Sequence, residues 1–180
     1  MQRAAGGDRH AFRLIVERHG AGIYNYFVHS TGSIEDAEDL TQQCFINLYR
    51  SLGRYRKTAA LRTFIFRIAH NLAVSHSRRK APPLSLDLLL EQGYDLPAQG
   101  DDPDELAAAD ELQRAYRKAL AELPAEWRSI VELRVGRELV YREIAAVTGR
   151  SEAAVESILF RARERLSRRL AAFRGGSGRG

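Results

Sequence analysis

Apolar residues recur three and four positions apart along most of the chain, and no stretch alternates apolar with polar residues as a half-buried strand would. The pattern predicts an all-α fold. Thr31-Gly32 supplies a turn, and Ser33 followed by Asp36 has the form of a capping box, so a helix is expected from about Ile34 to Tyr49. Its inward stripe is Ala37, Leu40, Cys44 and Leu48, with Glu35, Asp39, Gln42, Gln43 and Ile46 on the other side. A further helix is expected from about Leu61 to Arg79. It buries Phe64, Ile65, Ile68 and Leu72 and turns Arg67, His70, Asn71, Val74, Arg78 and Arg79 outward.

The second half carries the most specific local signal, between Leu139 and Leu159. Ala145, Gly149, Val155 and Ile158 fall where a DNA-binding helix-turn-helix needs a small residue at the crossing, a turn glycine, and two apolar residues joining the helices. With Ser151 as cap, the second helix is expected from Glu152 to about Leu170, with Val155, Ile158, Leu159, Ala162 and Leu166 inward. Glu152, Ala153, Glu156, Ser157, Arg161 and Arg165 are then the candidates for base edges or phosphates. An ordinary helical hairpin has the same apolar spacing. Arg161, Arg163, Arg165, Arg168 and Arg169 on one helix favour DNA.

Charge adds an organisation that periodicity does not show. The chain has 180 residues and a net charge of +5, and 25 of its 28 basic residues are Arg, which pairs with phosphate and stacks on bases. Residues 1–80 hold 13 basic and 6 acidic side chains, residues 81–105 none and 7, and residues 106–180 hold 15 and 10. The acidic middle is bounded by Ala81-Pro82-Pro83 and by Pro97 to Pro103, which interrupt helix. Two basic helical domains, 1–80 and 106–174, joined by a linker over 81–105 and followed by a flexible tail from 175 to 180, are expected. Leu84, Leu86, Leu88, Leu89 and Leu90 make part of that linker too apolar for a purely solvated tether. The first residues lack an apolar signal core and no apolar run reaches membrane-span length, which points to a cytoplasmic chain without membrane insertion. The lone Cys44 excludes an internal disulfide and reads as a buried thiol.

Two separated blocks, in order, resemble the extracytoplasmic-function sigma factors of the sigma-70 family. Asp36-Ala37-Glu38-Asp39-Leu40-Thr41-Gln42-Gln43-Cys44-Phe45 is similar to that family's acidic helix, and Leu61 to Asn71 to the helix that follows it. In the second half Leu123-Pro124, Glu143-Ile144-Ala145 and Arg161-Ala162-Arg163 resemble the family's promoter-reading domain. The resemblance implies sigma domain 2 and a helix-turn-helix sigma domain 4, and promoter recognition and melting on behalf of core RNA polymerase. It implies polymerase binding, at the clamp of the largest subunit, by Glu38, Asp39, Gln42 and Gln43, with the flap as a second polymerase contact. Arg67, His70, Asn71, Arg78 and Arg79 are implied at the minus-10 element, and Glu152, Ala153, Glu156, Ser157, Arg161 and Arg165 at minus-35. An anti-sigma factor is a further partner of the kind the family has. This sequence departs from the family at Phe64, where Trp is usual, at Ser75, at Ala153-Ala154, Glu156 and Ile158 in the second helix, and at Val140, where a capping Ser is common.

Two other functions compete with this one. An autonomous helix-turn-helix regulator explains the second half and leaves the acidic helix without a role. An enzyme is disfavoured, since no phosphate-binding glycine loop, zinc-binding H-E-x-x-H pair or paired nucleophile is present, and His10, His19, His29, His70 and His76 are scattered. Neither a cofactor nor a metal site is expected.

Overall fold

The computed structural model describes residues 8–54, 60–79, 112 and 114–176, without the side chains of 54 and 172–176. The expected linker over 81–105 and residues 177–180 of the expected tail lie outside the described residues.

Helix α1 spans Arg9–Thr31. Asp8 caps it by accepting from the backbone N–H groups of His10 and Ala11 at 2.9 and 3.1 Å. It stops at Gly32, whose φ of 71° only glycine adopts at little cost and whose N–H reaches back to the Val28 carbonyl. Helix α2, Ile34–Ser51, starts where Ser33 Oγ accepts from the Asp36 N–H at 3.2 Å. It is followed by one 3-10 turn, Leu52–Arg54. Helix α3 spans Leu61–Arg79. The second half has a helical run at 114–121 and then three helices: α4, Ala125–Val135, α5, Tyr141–Thr148, and α6, Glu152–Gly176. Pro124 starts α4, a place where its fixed φ suits the helix and its missing N–H costs nothing. The α6 helix runs past Leu170, so the first two residues of the expected tail are helical.

Helices α1, α2 and α3 pack on one another, and α4, α5 and α6 do the same. The two groups then meet: α1 lies on α4, and α3 lies on both α4 and α5. Ile23, Tyr26, Phe27, Leu48 and Ile65 belong to the same buried cluster as Ile130, Leu133, Leu139, Ile144 and Val147. A smaller cluster of Ala119, Leu123, Val131, Ala162 and Leu166 holds α6 to its own half. Among the described residues no helix is long and apolar enough to cross a membrane.

This meeting corrects the expected faces of α3. Phe64, Ile68 and Leu72 are half-buried, whereas Thr63, Phe66, Ala69, His70 and Ala73 are buried beside Ile65. His70, expected outward, is 4% exposed. The reason is that α3 is covered twice, by α1 and α2 on one side and by α4 and α5 on another. In α2, Ala37, Cys44 and Leu48 are buried as expected, but Leu40 is only half-buried.

Candidate nucleic-acid interface

Helix α6 presents its polar side to solvent. Glu152, Ala153, Glu156, Ser157, Arg161 and Arg165 are all exposed, while Val155, Ile158, Ala162 and Leu166 are buried beneath them. Ser151 Oγ accepts from the Ala154 N–H at 3.2 Å and fixes the start of the helix. The turn into it depends on Gly149, at φ 71°, whose N–H bonds the Ala145 carbonyl at 2.9 Å. Val140 offers α5 no side-chain cap, yet Glu143 still closes its half of the box, accepting from the Val140 N–H at 3.0 Å. The reciprocal half, a side-chain oxygen at position 140, is absent as the Val140 departure implies, while the Glu143 half needs only a backbone N–H. Ile158, where the family usually has Arg, is 9% exposed and serves the core.

Cation placement on this surface is not free. The Arg165 guanidinium stacks over Trp127 at 4.9 Å, Arg169 pairs with Glu122 at 2.5 Å and Arg150 with Glu126 at 2.5 Å. Arg161 and Arg163 are exposed on the same helix. Phe160 was missed in the sequence: it is 63% exposed, one turn beyond Glu156 on the solvent side. An aromatic residue at that spacing within a polar face was the available signal.

On α3, Arg67, Asn71 and Arg78 are exposed at successive four- and seven-residue steps and share one face. Arg67 leans over the Phe64 ring at 5.2 Å. His70 lies on the adjoining face, where its Nδ1 is 2.7 Å from Ser129 Oγ in α4. Burial holds its pKa below the ordinary 6.5, with the neighbouring Glu126 raising it and Arg150 lowering it. Four of the five residues implied at the minus-10 element are therefore accessible, and His70 is not.

Asp39, Gln42 and Gln43 line a groove of about 580 Å³ between α2 and α3, together with Leu40, Ile46, Asn47, Leu72, Ser75, His76 and Arg79. Gln43 Nε2 donates to Asn47 Oδ1 at 2.8 Å, and His76 pairs with Asp36 at 3.2 Å, fixing the groove's side chains. Arg79, grouped by the sequence with the DNA set, borders this groove. Glu38 is exposed and does not line it. Cys44 is fully buried beneath, and burial pushes its thiol up to about 12.

Two family models match the chain: sigma-70 region 2 over residues 15–82 and sigma-70 region 4 over residues 113–166. The RNA polymerase sigma-H factor of Pseudomonas aeruginosa is 31% identical over 177 residues, covering 94% of this chain and 91% of that protein. The ECF RNA polymerase sigma-E factor of Haemophilus influenzae is 31% identical over 180 residues, covering 94% and 93%. Among solved structures, CnrH in complex with the cytosolic domain of CnrY superposes with a TM-score of 0.71 at 26% identity, covering 95% of this chain and 94% of that one. The sigma factor RpoE of Bartonella quintana, in complex with the anti-sigma factor NepR, shares the fold at a TM-score of 0.67 and 20% identity, covering 89% and 97%. Exposed helix-turn-helix, acidic helix and ordered matches lead to one conclusion: the chain belongs to the extracytoplasmic-function sigma factors of the sigma-70 family, RNA polymerase subunits that act in transcription initiation.

Proposed function

We propose that the groove between α2 and α3 receives a basic element of core polymerase, with Asp39, Gln42 and Gln43 as hydrogen-bond acceptors and Glu38 adding charge nearby. The observation that carries this is the groove itself, in which polar acceptors at i, i+3 and i+4 are exposed beside the apolar Leu40, Ile46 and Leu72. Such a mixture suits a protein partner better than a solvated face does. Arg67, Asn71, Arg78 and Arg79 then meet the minus-10 strand, the cations on phosphates and the Asn71 amide on a base edge, joined by His70 once its face is uncovered. At minus-35 the exposed face of α6 enters the major groove. Ala153 and Ser157 offer it little beyond apolar and hydroxyl contact, so affinity rests on Arg161, Arg165 and their neighbours. The chain itself performs no catalysis and acts in the cytoplasm. Its domains are 1–80 and 106–174, and its regulator is an anti-sigma factor of the kind bound to the Bartonella RpoE.

The test is run-off transcription with core polymerase over a promoter library, with the Asp39→Ala/Gln42→Ala double variant beside the parent chain. Loss of transcript and of polymerase pull-down with helical content intact is expected. Undiminished pull-down by the double variant overturns the groove assignment.

A further inference from the structure

We propose that Glu156 sets the minus-35 specificity of this chain by accepting a hydrogen bond from the N4 amino group of a cytosine, where an arginine at the same place would select guanine. The proposal rests on the reading of α6 as the helix that enters the major groove at minus-35, and it concerns a position at which this sequence departs from its family.

Successive side chains on an α-helix are turned by about 100°, so Ala153, Glu156, Ser157 and Phe160 form one strip along α6. All four are exposed, and the strip lies directly opposite the buried Val155, Ile158, Ala162 and Leu166. Arg161 and Arg165 fall on one flank of it and Glu152 on the other. The central line of the reading face thus holds a carboxylate, two small side chains and an aromatic ring. It holds no arginine, the commonest reader of guanine.

The fold does not account for this carboxylate. Four other glutamates of the same half are matched to arginines: Glu122 to Arg169, Glu126 to Arg150, Glu132 to Arg137 and Glu164 to Arg168. Glu156 makes neither a hydrogen bond nor an ion pair with any described residue. One turn to either side stand Glu152, which repels it, and Phe160, which carries no charge to pair with it. Glu152 lies in the first turn, where the helix dipole favours an anion; Glu156 is a turn too late for that.

Close to DNA a carboxylate is repelled by the phosphates, and only a donor on a base edge offsets the repulsion. In the major groove two bases offer such a donor, cytosine through N4 and adenine through N6. Adenine sets its acceptor N7 beside N6, against the second carboxylate oxygen, whereas cytosine sets only an apolar C5–H beside N4. Cytosine is therefore the base selected. Ala153 and Phe160 lie three residues before and four after Glu156, and their apolar surface keeps water from that bond. Arg161 and Arg165, on the flank, supply affinity through phosphates without deciding which base fits.

The experiment selects DNA with the full chain bound to core polymerase, from a duplex library randomised across a promoter-length segment, and sequences what is retained. The parent should enrich cytosine at one minus-35 position on the order of tenfold over the other bases, the discrimination of one well-placed base contact. Glu156→Gln keeps the side chain's shape and adds an amide donor, so it should move the preference at that position to adenine, whose N6 and N7 fit an amide. Glu156→Ala should abolish the preference there and leave every other position as it was. The proposal is overturned if no position moves, if the moving position starts from a base other than cytosine, or if all positions weaken together as a purely structural role requires. Transcript from the parent without any minus-35 preference overturns the reading of α6, and absence of transcript overturns the sigma assignment itself. A retained minus-35 preference that is the same in parent and variants leaves both readings standing and removes Glu156 alone.

Discussion

Leu48 and Leu40 sit on one stripe of α2, yet Leu48 is fully buried and Leu40 only half so, because Leu40 borders the groove. Leu48→Ala should lower the unfolding free energy by about 2 to 5 kcal/mol, and Leu40→Ala by roughly half of that or less, as read by urea denaturation. Leu40→Ala should instead weaken polymerase pull-down, which Leu48→Ala does only by unfolding. Titration gives a second test at this scale. Burial lowers the pKa of His70, and burial with Arg18 and Arg62 nearby lowers that of His19, both from 6.5. Where the folded pKa lies below the unfolded one, the unfolded chain binds more protons, so these groups favour the fold more as pH rises toward and past 6.5. The charges facing His70 are Glu126 and Arg150, which are paired with each other, and the Tyr26 phenol, which burial keeps neutral. Stability should therefore be lower at about pH 5.5 than at about pH 7.5. His70→Asn should flatten that difference in urea titrations at the two pH values; an unaltered slope would remove His70 from the explanation.

At the scale of elements, the ends of helices were the most legible features, because they are set by local chemistry. Ser33 and Asp36 mark the start of α2, and Gly149 and Ser151 mark the turn of the helix-turn-helix. Gly149→Ala tests that turn directly. No neighbour would meet the new methyl group, so the cost is the left-handed backbone alone, about 1 to 2 kcal/mol in thermal denaturation. The faces of α3 were less legible. Periodicity finds one apolar stripe, but Phe66, Ala69, His70 and Ala73 extend burial around the helix to a surface that only the folded second half supplies. Ser129 and Tyr26 carried no signal at all, since a single hydroxyl within a helix is unremarkable until its partner, 103 residues away, is beside it. On α6 the reading face was legible, and salt dependence tests what it does. Arg161→Ala should reduce the salt slope of promoter binding by about 0.9, if that side chain neutralises one phosphate. Ala153→Ser should leave the slope unchanged, because no charge is removed.

For the whole molecule, the decisive property is that both halves contribute to one core. Ile130, Leu133, Ile144 and Val147 share a buried cluster with Ile23, Phe27 and Ile65, so neither half retains all its burial when the other departs. Thermal unfolding of the intact chain should then be one cooperative transition. At about 0.7 kcal/mol per residue, a chain of 180 residues corresponds to an enthalpy near 125 kcal/mol. Two independent halves of similar size would each give about 60 kcal/mol and a van't Hoff enthalpy of that smaller size. Differential scanning calorimetry at neutral pH should return equal calorimetric and van't Hoff enthalpies near the larger value. In the Ser129→Ala chain, where Tyr26 and His70 lose their shared partner, the midpoint should fall while the two enthalpies stay equal, because the apolar core still joins the halves. Two separate transitions in the parent chain would mean that the shared core couples the halves too weakly to hold them together.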